Sequence, residues 1–233
     1  MDRRQFQSAA AVFGLLTLAS MRHAYALTLA DMSNADATKG LKTALEKGAL
    51  SAIGILGVQD GFLGNSKVRI GLPPSLNDAA NLVRTLGQGA RVDELVTAMN
   101  RGAEAAVPMA KELLLQAVQT MNVGDAKGIL DGGETAVTQF FASKTRTPLA
   151  ARFLPHIIQA TERVDLAAKY NALAGKAADM GLLKREDANI QHYVTARALD
   201  GLFFMIAEEE RRIRQNPVGY GSAILTKVFG AIR

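Results

Sequence analysis

Residues 91–121 read RVDELVTAMNRGAEAAVPMAKELLLQAVQTM. Val92, Leu95, Val96, Met99, Ala103, Ala106, Val107, Ala110, Leu113, Leu114, Ala117, Val118 and Met121 recur at steps of three and four, while Asp93, Glu94, Arg101, Glu104, Lys111, Glu112 and Gln119 fall elsewhere. That period puts the apolar positions along one side of an α-helix. The phase carries through Pro108. Proline removes one helical hydrogen bond and crowds the preceding turn, so the spacing predicts a long helix kinked there, or two nearly collinear ones.

A second helical segment runs from Asp187 to about Gln215. Its middle, Leu202-Phe203-Phe204-Met205-Ile206, is apolar on every side, which predicts a central helix buried all round. Its end turns polar, and Glu208 to Arg212 and Glu210 to Arg214 stand four apart with glutamate first, the favourable order for helix pairs. Asn216-Pro217 then stops it.

Shorter helices fill the rest. Residues 36–56 read as a small-residue helix, and Pro74-Ser75 opens another that reaches Leu86 and closes at Gly87-Gln88-Gly89. Thr147-Pro148 reads as an N-cap with proline at the first helical position, starting a helix through Val164 that Pro155 bends. Residues 164–180 give one more. Asp60-Gly61-Phe62-Leu63-Gly64-Asn65 is a turn, and Lys67 to Leu72, with Val68, Ile70 and Leu72 alternating, is a candidate for one short extended stretch. With no βαβ alternation and no internal repeat, the expected fold is all-α: a single-domain helical bundle with kinked long helices and at most one short extended segment.

The N-terminus carries an address. Arg3 and Arg4, with Phe6 two places on, precede a moderately apolar run from Ala9 to Ala19, and Ala24-Tyr25-Ala26 places small residues where a signal peptidase reads. Residues 1–26 are therefore expected to be a signal peptide, either twin-arginine or an ordinary secretory signal whose basic region contains Arg-Arg, with the mature chain starting near Leu27. The run is too short for a transmembrane anchor, which needs about 20 predominantly apolar residues. The chain has no cysteine, which excludes a lipid-modified N-terminal cysteine, disulfides and thiolate chemistry. The expected location is the periplasm, as an exported soluble protein that is not a lipoprotein, with the twin-arginine or general secretion machinery as its partner during export.

Removing Asp2, Arg3, Arg4 and Arg22 from 27 basic and 22 acidic residues leaves 24 against 21, a net charge of +3. Those charges are interspersed. No basic block marks a nucleic-acid surface. The mature chain is long enough for one domain, residues 27–216, followed by a joint at residues 217–222 and a tethered segment to residue 233.

Several groups of residues, in order, carry a resemblance: Gly61-Phe62-Leu63-Gly64-Asn65 with Val68-Arg69-Ile70; Leu86-Gly87-Gln88-Gly89; Met99-Asn100-Arg101 with Ala105-Ala106-Val107-Pro108; Asp125-Ala126-Lys127-Gly128-Ile129-Leu130 with Gly132-Gly133; Phe153-Leu154-Pro155; and Ala198-Leu199-Asp200-Gly201-Leu202-Phe203 with Ala207-Glu208-Glu209-Glu210. Together these resemble the exported bacterial proteins classed as domain of unknown function 4197, over about residues 29–230. The resemblance implies a largely helical exported domain. It implies no activity and no site residue.

Chemistry has few residues to work with. His23 leaves with the signal, and His156 and His192 lie on separate helices with no second histidine three or four places away. Ser222, in Gly219-Tyr220-Gly221-Ser222-Ala223, lacks the glycine pattern of a nucleophile elbow. Asp125, Asp131 and Glu134 around Gly132-Gly133 are the candidate oxygen ligands for a metal, but without the alternating ligands of a calcium loop; the plainer reading has Asp125 capping a short helix and Glu134 in the next helix's first turn. The glycines at 61, 64, 87 and 89 are turn glycines without the strand-to-helix context of phosphate binding. No cofactor is expected.

Ile224, Leu225, Val228, Phe229 and Ile232 recur at helical spacing beyond the joint, with Lys227 and Arg233 off the stripe. This is an interaction helix, docking on its own domain, on a partner's groove or on a membrane surface. A chain rich in apolar stripes and poor in catalytic constellations points to non-enzymatic binding of an apolar small molecule or an envelope protein. The alternative is a metal-dependent or acid/base enzyme using the Asp125, Asp131 and Glu134 region.

Overall fold

The computed structural model describes residues 34–132, 136–181, 188–216 and 218. The expected signal peptide, Glu134 and the Ile224 to Ile232 stripe lie outside the described residues. In chain order the helices are α1 (Asn34–Leu56), α2 (Asn77–Thr85), α3 (Gly89–Ala106), α4 (Lys111–Gln119), α5 (Val123–Asp131), α6 (Ala136–Thr161), α7 (Asp165–Asp179) and α8 (Ile190–Gln215). Among the described residues there is no strand. The chain is an all-α helical bundle.

The 91–121 stripe forms α3 and α4, joined by a 3-10 turn at Val107–Ala110 that contains Pro108. Buried Val92, Leu95, Met99, Ala103, Ala106, Ala110, Leu114 and Val118 keep the apolar phase through that turn. α8 is the central helix. It packs on α1 along one side and on α6 along another, and α3 lies against α6 and α8. Ile190, Val194, Ala198, Leu202, Phe203 and Ile206 of α8 are buried in the common core with Leu41, Leu45 and Leu56 of α1 and Phe141, Phe153 and Ile157 of α6.

Two expectations for α8 are corrected. Phe204 is 40% exposed, so α8 is not apolar-buried on every side; it keeps one aromatic at the surface. At the polar end of α8, Glu208 pairs with Arg211 and Arg212 with Glu209, each three apart, so Arg212 does not serve Glu208 as the spacing of four suggested. Glu209 is buried. It accepts from Arg212 at 2.6 Å and from Ser51 of α1 at 2.9 Å, which draws it inward.

Thr147 is not an N-cap. α6 begins at Ala136 and runs through both Pro148 and Pro155. Phe141, Thr145, Leu149, Phe153, Ile157 and Thr161 are all buried at steps of four, and this anchored row holds the helix across each proline. A step of four on a 3.6-residue helix drifts by about 40° per step. The buried row therefore winds round α6, as its contacts with both α3 and α8 require.

The connector between α1 and α2 is held without a ladder. Lys67 to Leu72 does not form the extended stretch its alternation suggested; it turns at Ser66–Val68 and then runs irregularly. The carboxamide of Asn100, fully buried on α3, stands in for a neighbouring strand. Its Oδ1 accepts from the Ile70 N–H at 2.8 Å, and its Nδ2 donates to the carbonyls of Ile70 at 2.9 Å and Val96 at 2.7 Å. One turn along α3, buried Glu104 accepts through Oε1 from the N–H groups of Phe62 at 3.0 Å and Leu63 at 3.1 Å. Arg101 neutralises it at 2.6 Å and reaches Asp60 at 2.8 Å.

Two glycines set helix spacing. A Cβ on Gly102 would stand 3.1 Å from the Ala160 Cβ and 3.2 Å from the Ile157 Cα, so α3 and α6 cross there in near backbone contact. On Gly201 of α8 it would stand 2.9 Å from the Phe62 ring and 3.3 Å from Val68.

Two stability measurements follow from this packing. Asn100→Ala removes three buried hydrogen bonds and strands the Ile70 backbone, and urea unfolding is expected to show a loss of about 3 kcal/mol; a loss below about 1 kcal/mol contradicts the role given to this side chain. Gly201→Ala is expected to destabilise by about 1–3 kcal/mol through overpacking against Phe62. Gly54→Ala on α1, where a Cβ meets nothing within 4 Å, is expected to stabilise by about 0.5–1 kcal/mol, so the pair separates crowding from helix propensity.

Candidate functional site

Of the candidate acidic ligands, Asp125 and Asp131 are among the described residues and Glu134 is not. Asn122 is the N-cap of α5, accepting from the Asp125 N–H at 2.8 Å, and Asp125 answers by accepting from the Asn122 N–H at 3.2 Å. Asp125 is thus the return arm of a capping box, with Lys144 at 3.8 Å. The cap itself is Asn122. Asp131 is exposed at the far end of the same helix, roughly 120° round the axis from Asp125. Among the described residues no group of three or more potential metal ligands gathers.

A more suggestive surface lies between α6 and α8. The buried row Thr145, Leu149, Phe153 faces the core, and the row one residue on, Arg146, Ala150, Leu154, lies beside it with Ala151. Opposite stand His192, Thr195, Ala196 and Leu199 of α8. Together they line a trough of about 350 Å³, walled mainly by apolar atoms. Of the two histidines weighed from sequence, His192 is exposed and belongs to this trough, while His156 is half-buried elsewhere on α6.

The trough's α8 wall is fixed at its start. Asn189 caps α8 by accepting from the N–H groups of Gln191 at 2.9 Å and His192 at 3.1 Å. Asn171 of α7 accepts from the Ile190 N–H at 2.8 Å and donates to Gln191, whose Nε2 in turn donates to Thr161 at the end of α6 at 3.0 Å. Four polar side chains therefore tie the start of α8 and the end of α6 to the middle of α7. Among the described residues no buried side-chain nitrogen or oxygen lacks a hydrogen-bond partner.

At one end of the trough the guanidinium of Arg146 lies over the Phe203 ring, 5.3 Å from its centroid, and donates to Asp200 at 2.7 Å. Arg197, stacked over Tyr193 at 5.6 Å, approaches the other Asp200 oxygen at 3.4 Å. Asp200 and Arg197 also line a second hollow of about 330 Å³ with Lys67, Arg69, Tyr193, Gly201 and the exposed Phe204. Lys67 bridges to Glu208 at 2.7 Å and holds that carboxyl below its ordinary range. The arginine-carboxylate-arginine chain therefore joins an apolar trough to a cationic hollow. Sequence reading passed over Arg146 because it stands alone between Thr145 and Thr147 with no motif around it.

No described helix is long and apolar enough to cross a membrane. No curated protein and no solved structure matches the chain. A family model described as "Protein of unknown function (DUF4197)" matches residues 31–230, a span that takes in α1, the pinned connector, the capping box and both helices of the trough, and the chain belongs to that family.

Proposed function

We propose that this chain is an exported, non-enzymatic binding protein whose trough between α6 and α8 receives an apolar ligand. The observation that carries the reading is the trough itself: a concave, mainly apolar surface between two helices, with a few polar groups, Arg146 among them, at its edges, the form that small-molecule sites take. The catalytic alternative has less support, because Asp125 is occupied in a capping box and by Lys144. Export rests on Arg3, Arg4, Phe6, Ala24 and Ala26, and a role for Ile224, Leu225, Val228, Phe229 and Ile232 in binding an envelope partner rests on their spacing alone.

Titration with the uncharged fluorophore N-phenyl-1-naphthylamine tests the binding reading. Saturable enhancement is expected, and Ala196→Phe, which fills the trough from its half-exposed wall, is expected to abolish it while circular dichroism stays helical. Enhancement that survives Ala196→Phe places the apolar site elsewhere, and none at all refutes the reading.

Export is checked separately by fractionating cells that express the full chain. A periplasmic product beginning at Leu27 is expected, and replacing both Arg3 and Arg4 by lysine is expected to hold it in the cytoplasm if the twin-arginine route is used. A protein that stays in the cytoplasm with its N-terminus intact overturns the export reading.

A further inference from the structure

We infer that the ligand of this trough is a single-chain amphiphile with a carboxylate head, its chain between α6 and α8 and its head at Arg146 and Arg197. The inference rests on the trough being a ligand site and adds what the charges at its end require.

Two guanidiniums share one carboxylate there. Arg146 meets Asp200 at 2.7 Å and Arg197 meets it at 3.4 Å, so this three-residue chain carries one positive charge in excess. The adjoining hollow adds Lys67 and Arg69. Glu208 answers Lys67 but is shared with Arg211, and Asp93, the carboxylate that feels Arg69, is already bound by Arg84 at 2.6 Å. The cationic excess therefore sits where the apolar trough ends.

Each guanidinium has five N–H donors in a planar fork. Arg146 meets Asp200 through one nitrogen, and the rest of its fork is available to a second carboxylate in the bidentate geometry that guanidinium favours. The Phe203 and Tyr193 rings lie beneath the two guanidiniums and attract them. The trough's volume of about 350 Å³ lies at the lower end of small-molecule sites, about 300–1,000 Å³, which suits one chain and not two. The apolar wall selects the tail, and the cationic end selects the sign of the head.

Displacement of N-phenyl-1-naphthylamine from the purified protein reads both selections. Decanoate is expected to displace it at about tenfold lower concentration than decanol, the increment a charge-assisted hydrogen bond supplies, and decyltrimethylammonium is expected to be weaker than decanol. Arg146→Met and Arg197→Met are each expected to erase most of the decanoate advantage and leave decanol unchanged. Asp200→Asn, which removes the competing carboxylate, is expected to strengthen decanoate; a merely structural role for Asp200 predicts the reverse. Equal displacement by decanoate and decanol overturns the anionic head while leaving the apolar site standing. Decyl phosphate surpassing decanoate overturns the carboxylate in favour of a phosphate head. Probe uptake that is absent from the start sinks the trough itself.

Discussion

Asn100 and Glu104, one turn apart on α3, hold the backbone of a segment that has no regular structure of its own. Between the end of α1 and the start of α2, the chain must bring Phe62, Val68 and Ile70 into the core while its own N–H and C=O groups go with them. Buried backbone groups without partners are costly, and a helix or ladder is the usual remedy. Here two side chains supply it. Glu104 takes two successive N–H groups, and Asn100 reads both faces of Ile70. With the connector fixed, Phe62 seats against Gly201, and that contact sets where α8 can lie. The position of α8 in turn sets one wall of the trough and one side of the cationic hollow.

Much of the architecture was legible because helices announce themselves by period. The 91–121 stripe placed α3, the break at Pro108 and α4, and the small-residue run over 36–56 and the apolar middle of 187–215 gave α1 and α8 to within a few positions. The errors share a cause. Thr147-Pro148 looks like a helix start because local chemistry favours it, yet Phe141, Leu149, Phe153 and Ile157 bury a row that crosses the proline, and packing outweighs a single lost hydrogen bond. The alternation at Val68, Ile70 and Leu72 looks like a strand because Val68 and Ile70 are buried and Leu72 half-buried, but burial fixes only the side chains and says nothing about what pairs with the backbone.

The candidate site was much less legible. Ala150, Ala151 and Ala196 are ordinary helix residues, and their meaning is that they leave space, which sequence records only as small size. Arg146 and Asp200 lie 54 positions apart and meet because α6 and α8 do. Glu104 and Glu209 read as solvated charges in stripes of otherwise sound helical pattern; only the fold shows that each accepts two or more hydrogen bonds within the core. The acidic cluster pointed the other way: Asp125 attracted notice as a ligand, while the neighbouring Asn122 explains it as half of a cap.

The two walls of the trough differ in stiffness. Pro148 and Pro155, both exposed, stand two turns apart on α6, and each deprives the carbonyl four residues earlier, Lys144 and Ala151, of its helical partner. Two rungs are thus missing from the solvent side of a helix whose opposite side is packed, the arrangement in which a helix curves convexly toward water. α8 is equally packed by neighbouring helices but has no proline, so its ladder of hydrogen bonds is unbroken. The groove therefore has one fixed jaw and one elastic one, and the segment of α6 that contributes Ala150, Ala151 and Leu154 lies between or beside the missing rungs. Occupants of different girth would be met by flexure of α6, with the registration of α8 and everything anchored to it left undisturbed.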